Sequence, residues 1–199
     1  MAERDPKKFD PARASILDEA EREQYLPGDQ LVALLGLEGG ETVVDYGAGT
    51  GRFAVAVAAA IPRGRILAVD ESAEMLVHLQ NRLGGTANAD VALIHANSVP
   101  LRDGAADRIL ALNLLHEVRG EDALSEMRRI LASDGMLLVV DWERGRPRPA
   151  GPPDRLLYTA AEATSELRGA GFDAAEIPAG LPYHFVIRAT PSPAGQTAA

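Results

Sequence analysis

The sequence predicts an α/β fold with a doubly wound, seven-stranded and mostly parallel sheet. Short apolar segments rich in β-branched residues alternate five times with segments that have the apolar spacing of amphipathic helices. The first of these strands leads directly into a glycine-rich turn, and the last two are joined by a turn that is too short for a parallel crossover. We therefore expect right-handed helical crossovers between parallel strands and an antiparallel last strand.

The elements follow one another in a regular order. Before the first strand, residues 11–36 have a weak helical pattern, which is broken at Pro27–Gly28. The predicted strands span residues 42–46, 65–69, 91–95, 107–113, 136–141, 172–177 and 183–189. The predicted helices span residues 52–60, 72–83, 121–131 and 159–169, the last with a capping box of Thr159 and Glu162. Residues 142–155 carry glycine and proline throughout and are predicted to be irregular.

The chain divides into three parts. Residues 1–36 form an N-terminal helical segment, residues 37–190 form the α/β domain, and residues 191–199 are a low-complexity tail that we expect to be disordered. In an open α/β sheet, ligands bind at the carboxyl ends of the strands, where the strand order reverses. The residues that follow the predicted strands are therefore the candidates for function.

The composition excludes several classes of function. The 199 residues carry a net charge of −9, which weighs against a nucleic-acid partner because phosphate attraction needs positive charge. There is no cysteine, hence no disulfide, thiol nucleophile or thiolate metal site. The longest apolar run, residues 53–61, is too short to cross a membrane, and the N-terminus has no secretory signal. We expect a cytoplasmic monomer or homodimer with no membrane contact.

The turn after the first strand carries the strongest functional signal. It spans residues 45–52, with the sequence Asp-Tyr-Gly-Ala-Gly-Thr-Gly-Arg. Glycines let the backbone turn tightly and let a ligand approach closely, and the next helix directs its free N–H groups at the turn. A carboxylate or phosphate would fit there. The dinucleotide fingerprint G-x-G-x-x-G does not match, because the third glycine comes one position early.

Together with Asp45, this D-x-G-x-G-x-G turn resembles the first motif of the class I S-adenosylmethionine-dependent methyltransferases. Further segments resemble that family in the same order along the chain: residues 95–101 with Asp107, residues 114–118, residues 127–137, and the C-terminal part over residues 152–184. The similarity runs from about residue 31 to residue 189 and is nearest to small bacterial members of the ubiquinone/menaquinone type. It implies a Rossmann-like methyltransferase fold with S-adenosylmethionine as the cofactor.

The resemblance also implies which residues hold the cofactor. Asp70, at the end of the second strand, is placed to accept the ribose hydroxyls, and its charge disfavours the 2′-phosphate of NADP. Many relatives end the third strand in an aspartate that binds the adenine amino group; this chain has His95 there, so adenine recognition rests on Ala96 or Asn97. Met75 is also compatible with an ordinary core position. The predicted cofactor-binding residues are Asp45, Gly47, Ala48, Gly49, Gly51, Asp70, Glu71, Met75, Ala96, Asn97 and Asn113.

The candidates for contact with the methyl acceptor are two histidines and a tyrosine. His116 follows the fourth strand at the edge where the cofactor is expected, and it is equally compatible with a catalytic base and with a buried structural histidine. Tyr183 and His184 begin the last strand at the same edge, and only one of them can face the cleft because successive strand residues point to opposite sides. We predict that His116 and one of this pair line the acceptor pocket; the alternative is that the pair only completes the packing of the hairpin.

Charged residues after the fifth strand leave two alternatives open. Asp141 either orients the substrate or caps the following loop. The arginines of that loop either hold an anionic substrate or are solvated; they are Arg144, Arg146, Arg148 and Arg155.

The predicted function is methyl transfer from S-adenosylmethionine to a small-molecule acceptor by in-line displacement. The alternatives are an NAD-dependent oxidoreductase and a non-catalytic protein that binds S-adenosylmethionine. No metal is expected, because the four histidines, at positions 78, 95, 116 and 184, have no close ligand spacing. The N-terminal segment is expected to form a lid over the acceptor.

Overall fold

Seven strands and five α-helices make up the computed structural model, which describes residues 8–118 and 122–193. The strands are β1 (Thr42–Tyr46), β2 (Arg65–Asp70), β3 (Ala89–Leu93), β4 (Ala106–Leu112), β5 (Leu131–Trp142), β6 (Phe172–Glu176) and β7 (His184–Pro191). The α-helices are α1 (Gly28–Leu35), α2 (Arg52–Ala60), α3 (Ala73–Leu83), α4 (Ala123–Ile130) and α5 (Ala160–Gly169). Short 3-10 segments occupy Pro11–Asp18, Ala20–Gln24 and Asp154–Leu156.

The strands form one sheet in the order β3-β2-β1-β4-β5-β7-β6. β1 pairs in parallel with β2 and with β4, β2 pairs in parallel with β3, and β4 with β5. β7 runs antiparallel to both β5 and β6. The predicted fold class is confirmed, including the antiparallel last strand. The strand order reverses between β1 and β4, and such a switch point opens a crevice at the carboxyl ends of the strands.

Buried apolar residues cover both faces of the sheet, as expected for parallel strands between two layers of helices. Neighbouring residues of β1 point to opposite faces: Val44 packs in one cluster with Ala111, and Val43 packs in the other with Leu110. Because apolar side chains occupy both faces of the sheet, the polar side chains that are available for function lie at the ends of the strands.

The N-terminal segment is less regular than predicted. Residues 11–24 form two 3-10 segments instead of an α-helix, and only Gly28–Leu35 is α-helical. Short 3-10 turns suit a segment whose apolar stripe is weak. Asp18 fastens this segment to the domain, because its carboxylate accepts hydrogen bonds from Arg82 (2.8 and 2.7 Å) and from the Thr50 hydroxyl (2.8 Å). The segment therefore lies against the glycine turn.

Six of the seven strands differ from their predicted bounds, because pairing between strands decides where a strand begins and ends. β3 lies two residues earlier than predicted, so it ends before His95. β5 begins at Leu131, directly after α4, since Leu131 pairs with Ala106 ahead of a bulge. The predicted turn at residues 134–135 lies inside that bulge. β7 begins at His184 and continues to Pro191, two residues beyond its predicted end, because it pairs with β6 along this length.

Some predictions fall partly outside the described residues. Positions 1–7 of the N-terminal segment, Glu121 at the start of a predicted helix, and positions 194–199 of the predicted tail are outside them. Inside them, Ser72 caps α3, and Thr159 with Glu162 forms the predicted capping box of α5. None of the described helices is long and apolar enough to cross a membrane.

Candidate active site

A cavity of about 390 Å³ lies at the switch point between β1 and β4. Its walls come from the glycine turn after β1, from residues that follow β2, β4 and β5, and from the N-terminal segment. The predicted site residues that line it are Asp45, Gly47, Ala48, Gly49, Asp70, Glu71, Met75, Asn97, Asn113 and His116. Those that do not line it are Gly51, Ala96, Tyr183 and His184.

Backbone geometry explains the three glycines of the turn. Gly47, Gly49 and Gly51 have φ angles of 74°, 56° and 77°, a region that residues with a Cβ rarely adopt. A Cβ at Gly47 would lie 2.6 Å from Leu114 Cδ1, and one at Gly51 would lie 2.8 Å from Leu79 Cδ2. Gly51 therefore allows the turn to pack against α3, whereas Gly47 and Gly49 belong to the cavity wall.

Asp70 holds the glycine turn in place. Its Oδ2 accepts a hydrogen bond from Gly49 N and its Oδ1 accepts one from Ser72 N, both at 2.9 Å. A carboxylate has about four acceptor sites, so these two bonds leave capacity for ribose hydroxyls. The ribose contact stays a prediction, and the structure adds a second role, since the same carboxylate orders backbone that faces the cavity.

Two buried polar groups at the switch point suit a positively charged ligand. Asp45 is 3% exposed, and burial, followed by the charge of Asp70, raises the pKa of Asp45 to about 7. Asn113 has a φ of 53° and a buried Oδ1 that has no hydrogen-bond partner among the described residues. A ligand that carries positive charge and N–H donors would satisfy both groups, which fits the sulfonium and ammonium of the cofactor that the resemblance implies.

Of the two alternatives for adenine recognition after β3, Asn97 lies in the cavity wall and Ala96 does not. Asn97 lines the cavity with a φ of 62°, and its carbonyl oxygen accepts a hydrogen bond from Tyr46 Oη at 3.0 Å. Ala96 is exposed and lies outside the cavity wall. Met75 is buried and lines the cavity, so it offers the apolar surface that a base needs.

His116 and Asp141 form a hydrogen-bonded pair at the cavity wall. His116 is 3% exposed, and its ring Nδ1 lies 2.8 Å from Asp141 Oδ1. The backbone N–H of His116 donates to Asp141 Oδ2 (2.9 Å), and that of Trp142 donates to Oδ1 (2.7 Å). Because the carboxylate accepts all three bonds, Nδ1 carries the ring proton and Nε2 is the basic nitrogen. Asp141 thus orients His116 as well as the start of the following loop.

Glu117 lies beside this pair in a partly buried position. Its Oε1 is 3.8 Å from His116 Nε2, and its Oε2 accepts a hydrogen bond from Phe9 N (3.1 Å). Burial raises the pKa of Glu117 to about 7. Lys8 Nζ is 3.0 Å from Glu71 Oε1, so residues 8 and 9 connect to two sides of the cavity.

Tyr183 and His184 lie behind the cavity wall. His184 is 3% exposed, with its ring centroid 4.2 Å from that of Trp142, and its ring nitrogens have no hydrogen-bond partner among the described residues. Burial lowers the pKa of His184 to about 3, so its imidazole is neutral. Tyr183 packs edge-on against Tyr25, with 5.5 Å between centroids. Tyr25 and Trp142 line the cavity and separate Tyr183 and His184 from it. Tyr183 and His184 could therefore affect catalysis only by positioning these two rings.

The arginines of the loop after β5 are mostly engaged with carboxylates. The pairs are Arg144 with Glu162, Arg146 with Glu143, and Arg148 with Asp154. Arg155 is exposed and does not line the cavity. The cavity wall contains Arg22 of the N-terminal segment, which is 7% exposed. In the part of the chain that the structure describes, no group of three histidine, aspartate or glutamate side chains is arranged to hold a metal ion.

Comparison with known proteins shows which proteins this chain resembles. Residues 43–135 match a family model described as a methyltransferase domain. A malonyl-[acyl-carrier protein] O-methyltransferase of Geobacter sulfurreducens is 30% identical over 167 residues, which cover 75% of this chain and 62% of that protein. A ubiquinone/menaquinone biosynthesis C-methyltransferase of Syntrophotalea carbinolica is 33% identical over 113 residues, which cover 55% of this chain and 47% of that protein. The chain thus spans less than two thirds of the length of either relative.

A solved structure covers nearly the whole chain. The crystal structure of a SAM-dependent methyltransferase from Aquifex aeolicus matches with a TM-score of 0.85 at 26% identity, over 92% of this chain and 98% of that chain. The sheet order, the glycine turn and the acid at the end of β2 therefore define a Rossmann-like methyltransferase fold. The chain is similar in sequence and in fold to S-adenosylmethionine-dependent methyltransferases. The resemblance is confirmed, and neither an NAD-dependent oxidoreductase nor a non-catalytic binding protein is favoured.

The cavity-wall residues that the sequence analysis missed include Arg22, Tyr25 and Trp142. Trp142 carried a usable signal, since it is the only tryptophan of the chain and directly follows Asp141 at the end of a predicted strand. Arg22 and Tyr25 lie in a segment with a weak pattern and no motif. Their place in the wall depends on the path of that segment across the sheet edge.

Proposed function

We propose that this protein transfers a methyl group from S-adenosylmethionine to a small molecule with an O–H or N–H group, and that His116 removes the proton. The observation that carries the proposal is the His116–Asp141 pair at the wall of the cavity that the glycine turn also lines. A histidine whose Nδ1–H is held by a carboxylate presents Nε2 as a general base. Such a base contributes roughly 10²–10⁴-fold to the rate.

The residues around the turn are suited to hold the cofactor. When bound, S-adenosylmethionine supplies a methyl group that is activated by a positively charged sulfur. Asp45 is placed to face this charge, Asn113 Oδ1 to accept from an ammonium group, and Asp70 to accept from ribose hydroxyls. Gly47 and Gly49 keep this part of the wall free of side-chain atoms.

His116 acts on the acceptor. Its Nε2 takes the acceptor's proton while the acceptor's oxygen or nitrogen forms the bond to the methyl carbon. The bond between that carbon and sulfur would break at the same time, with its electron pair left on sulfur, and Asp141 stabilises the resulting imidazolium. Holding the acceptor in line lowers the barrier further, by roughly 7–11 kcal/mol. Tyr25 and Trp142 give this end of the cavity an aromatic wall that excludes water.

The dimensions of the cavity support a small-molecule acceptor. A volume of about 390 Å³ lies within the usual range of ligand pockets, roughly 300–1,000 Å³. The two curated relatives are named for malonyl-[acyl-carrier protein] and for ubiquinone/menaquinone biosynthesis, which also favours an acceptor group of small size. The net charge of −9 supports the expectation that nucleic acid is not the acceptor. A cytoplasmic location and a monomer or homodimer remain our expectations.

We also propose that the N-terminal segment closes over the bound ligands as a lid. Phe9 N is hydrogen-bonded to Glu117 beside the catalytic pair, and Lys8 is paired with Glu71 at the cofactor side. Asp18 fastens the middle of the segment to α3 through Arg82. These three contacts bridge the cavity from one side to the other, so their release would open it.

The function is tested with the purified chain, tritiated S-adenosylmethionine and a fractionated metabolite extract, in the presence of EDTA. We expect label in the small-molecule fraction, and we expect His116→Asn to slow its appearance by roughly 10²–10⁴-fold at an unchanged Kd for S-adenosylhomocysteine. His78→Asn is the matched control, because His78 is exposed on α3 and outside the cavity. Full turnover by His116→Asn, or label only in macromolecules, would contradict the proposal.

A further inference from the structure

Arg22 is a buried cation on the cavity wall. Its side chain is 7% exposed, it lines the cavity, and its Nε has no hydrogen-bond partner among the described residues. Burial lowers the pKa of Arg22, which reflects the cost of keeping its charge away from water. A guanidinium stays charged in proteins, so an anion bound beside Arg22 would offset this cost.

Two of the carboxylates close to Arg22 in the sequence, Asp18 and Glu23, are engaged elsewhere, while the charges of Asp18 and Glu19 still act on Arg22 through space. Asp18 is bonded through both oxygens to Arg82, at 2.8 and 2.7 Å. Glu23 is paired with Arg52, at 2.5 Å. Among the described residues, no carboxylate is hydrogen-bonded to Arg22. This arginine differs in that respect from the paired arginines of the loop after β5.

Arg22 lies at the acceptor end of the cavity. Tyr25, three residues later, packs against Trp142 at the end of β5, with 5.8 Å between ring centroids. The charge of Arg22 also adds to the effect of burial in lowering the pKa of His184, which lies behind Trp142. Asp70 is the last residue of β2, on the opposite side of the switch point from β5. The guanidinium is therefore close to the wall that an acceptor would contact.

We propose that Arg22 binds a carboxylate of the methyl acceptor, and that the acceptor is therefore an organic acid. This inference rests on the proposed methyl transfer and adds a substrate class to it. A planar guanidinium binds a carboxylate through two parallel hydrogen bonds. The rings of Tyr25 and Trp142 beside it suit an aromatic or acyl body. The carboxylate anchors the acceptor, and a separate O–H or N–H group meets His116.

The test measures binding and needs no turnover. The purified chain, saturated with S-adenosylhomocysteine, is titrated with benzoate, 4-hydroxybenzoate, 3-phenylpropanoate and octanoate, and with the amide of each acid. We expect an acid of this panel to bind about tenfold or more tightly than its amide, as a charge-assisted hydrogen bond predicts. Arg22→Gln is expected to abolish this preference. Arg22→Lys keeps the positive charge but loses the planar guanidinium, so it is expected to retain part of the preference for the acid over its amide. This second variant keeps the test valid if Arg22→Gln does not fold.

A control variant and two contrary results complete the design. Arg155→Gln removes an exposed arginine outside the cavity and is expected to leave the binding of acids and of S-adenosylhomocysteine unchanged. A panel in which no acid binds the unaltered chain more tightly than its amide would overturn the proposal. So would an Arg22→Gln variant that loses affinity for S-adenosylhomocysteine but not for 5′-methylthioadenosine, because the guanidinium would then hold the cofactor's own carboxylate. Failure of the His116→Asn experiment would leave these binding results standing, so the two proposals fail separately.

Discussion

Three carboxyl groups around the cavity differ in their hydrogen-bond donors. Burial raises the pKa of Asp45 and of Glu117 to about 7. Glu117 accepts one backbone hydrogen bond, from Phe9 N. Asp141 accepts hydrogen bonds from two backbone N–H groups and from the ring of His116, so its position is fixed by three contacts.

Binding of S-adenosylmethionine is expected to release protons near neutral pH. Asp45 is about half protonated at pH 7 in the free protein, and a cation beside it favours ionisation, so binding should release up to about half a proton at pH 7. Affinity should accordingly rise with pH through this range. Calorimetry in buffers of different ionisation enthalpy counts the protons. Asp45→Asn should bind more weakly without this release, and an undiminished release would assign the proton to another group, such as Glu117.

The same carboxyl should make the ligand-free protein less stable as pH rises. The pKa of Asp45 in the folded state, about 7, lies above its unfolded value of about 4, so the native state binds more protons between these values. Its contribution to the free energy of unfolding is therefore highest below about pH 4 and declines up to about pH 7. Urea unfolding at several pH values should show a smaller decline for Asp45→Asn.

At the scale of elements, the glycine turn is held by its neighbours on the sheet. Gly47 N and Ala48 N both donate to Val69 O at 2.9 Å, and Gly49 N donates to Asp70. The turn also packs on α3, where a side chain at Gly51 would collide. Its shape is consequently set before any ligand binds, which reduces the ordering that binding requires.

Gly49→Val is expected to abolish binding of S-adenosylhomocysteine. Gly49 has a φ of 56°, and its Cβ would lie 3.2 Å from Leu17 Cδ1 on the cavity wall. Gly36→Ala is the matched control, since Gly36 has a φ of 60° and no atom within 4 Å of its Cβ position. Both variants should lose about 1–2 kcal/mol of stability to the left-handed backbone. Calorimetry should find normal binding in Gly36→Ala alone; normal binding by Gly49→Val would refute the role of the turn.

At the scale of the whole molecule, the cavity is complete only when the N-terminal segment lies on the domain. The segment contacts α3 through Asp18 and Arg82, and Arg52 at the start of α2 donates to Glu19 O at 2.9 Å. It supplies Arg22 to the cavity wall. Ligand binding and docking of the segment are therefore coupled in our interpretation.

S-Adenosylhomocysteine is expected to raise the Tm. A ligand at 100 times its Kd stabilises the native state by about 2.7 kcal/mol, and each kcal/mol is worth about 2–4 °C in a chain of this size. Asp18→Asn should reduce the shift at the same ligand concentration, because it weakens docking of the segment. Its ligand-free Tm should change little, since the pair is partly exposed and worth about 0–1 kcal/mol.

Asp29→Asn is the control for that experiment, because Asp29 is an exposed aspartate of α1 that bonds only to its own helix among the described residues. An Asp18→Asn variant with the full ligand-induced shift would show that docking of the segment does not contribute to binding.

Features that depend on local interactions were predictable from the sequence, whereas features that depend on contacts between distant residues were not. β1 and α2 have the predicted bounds, because a β-branched run, a glycine turn and an alanine-rich helix are local patterns. The start of β5 at Leu131 was not predictable, since it depends on pairing with Ala106 in another strand. The 3-10 segments before α1 were not predictable either, because packing on the domain shapes a stretch with little apolar periodicity of its own.

The sequence by itself determined the alternation of strands and helices, the glycine turn and the acids Asp45 and Asp70, and with them the family. Only the tertiary structure decided which side chains surround the proposed acceptor end of the cavity. It joins His116 to Asp141, 25 residues away, and sets Trp142 in front of His184. Those neighbours are decided by the pairing of β4 with β5 and of β5 with β7, and by the path of the N-terminal segment. Burial of the whole sheet fixes these long-range arrangements, and no local pattern of residues encodes them.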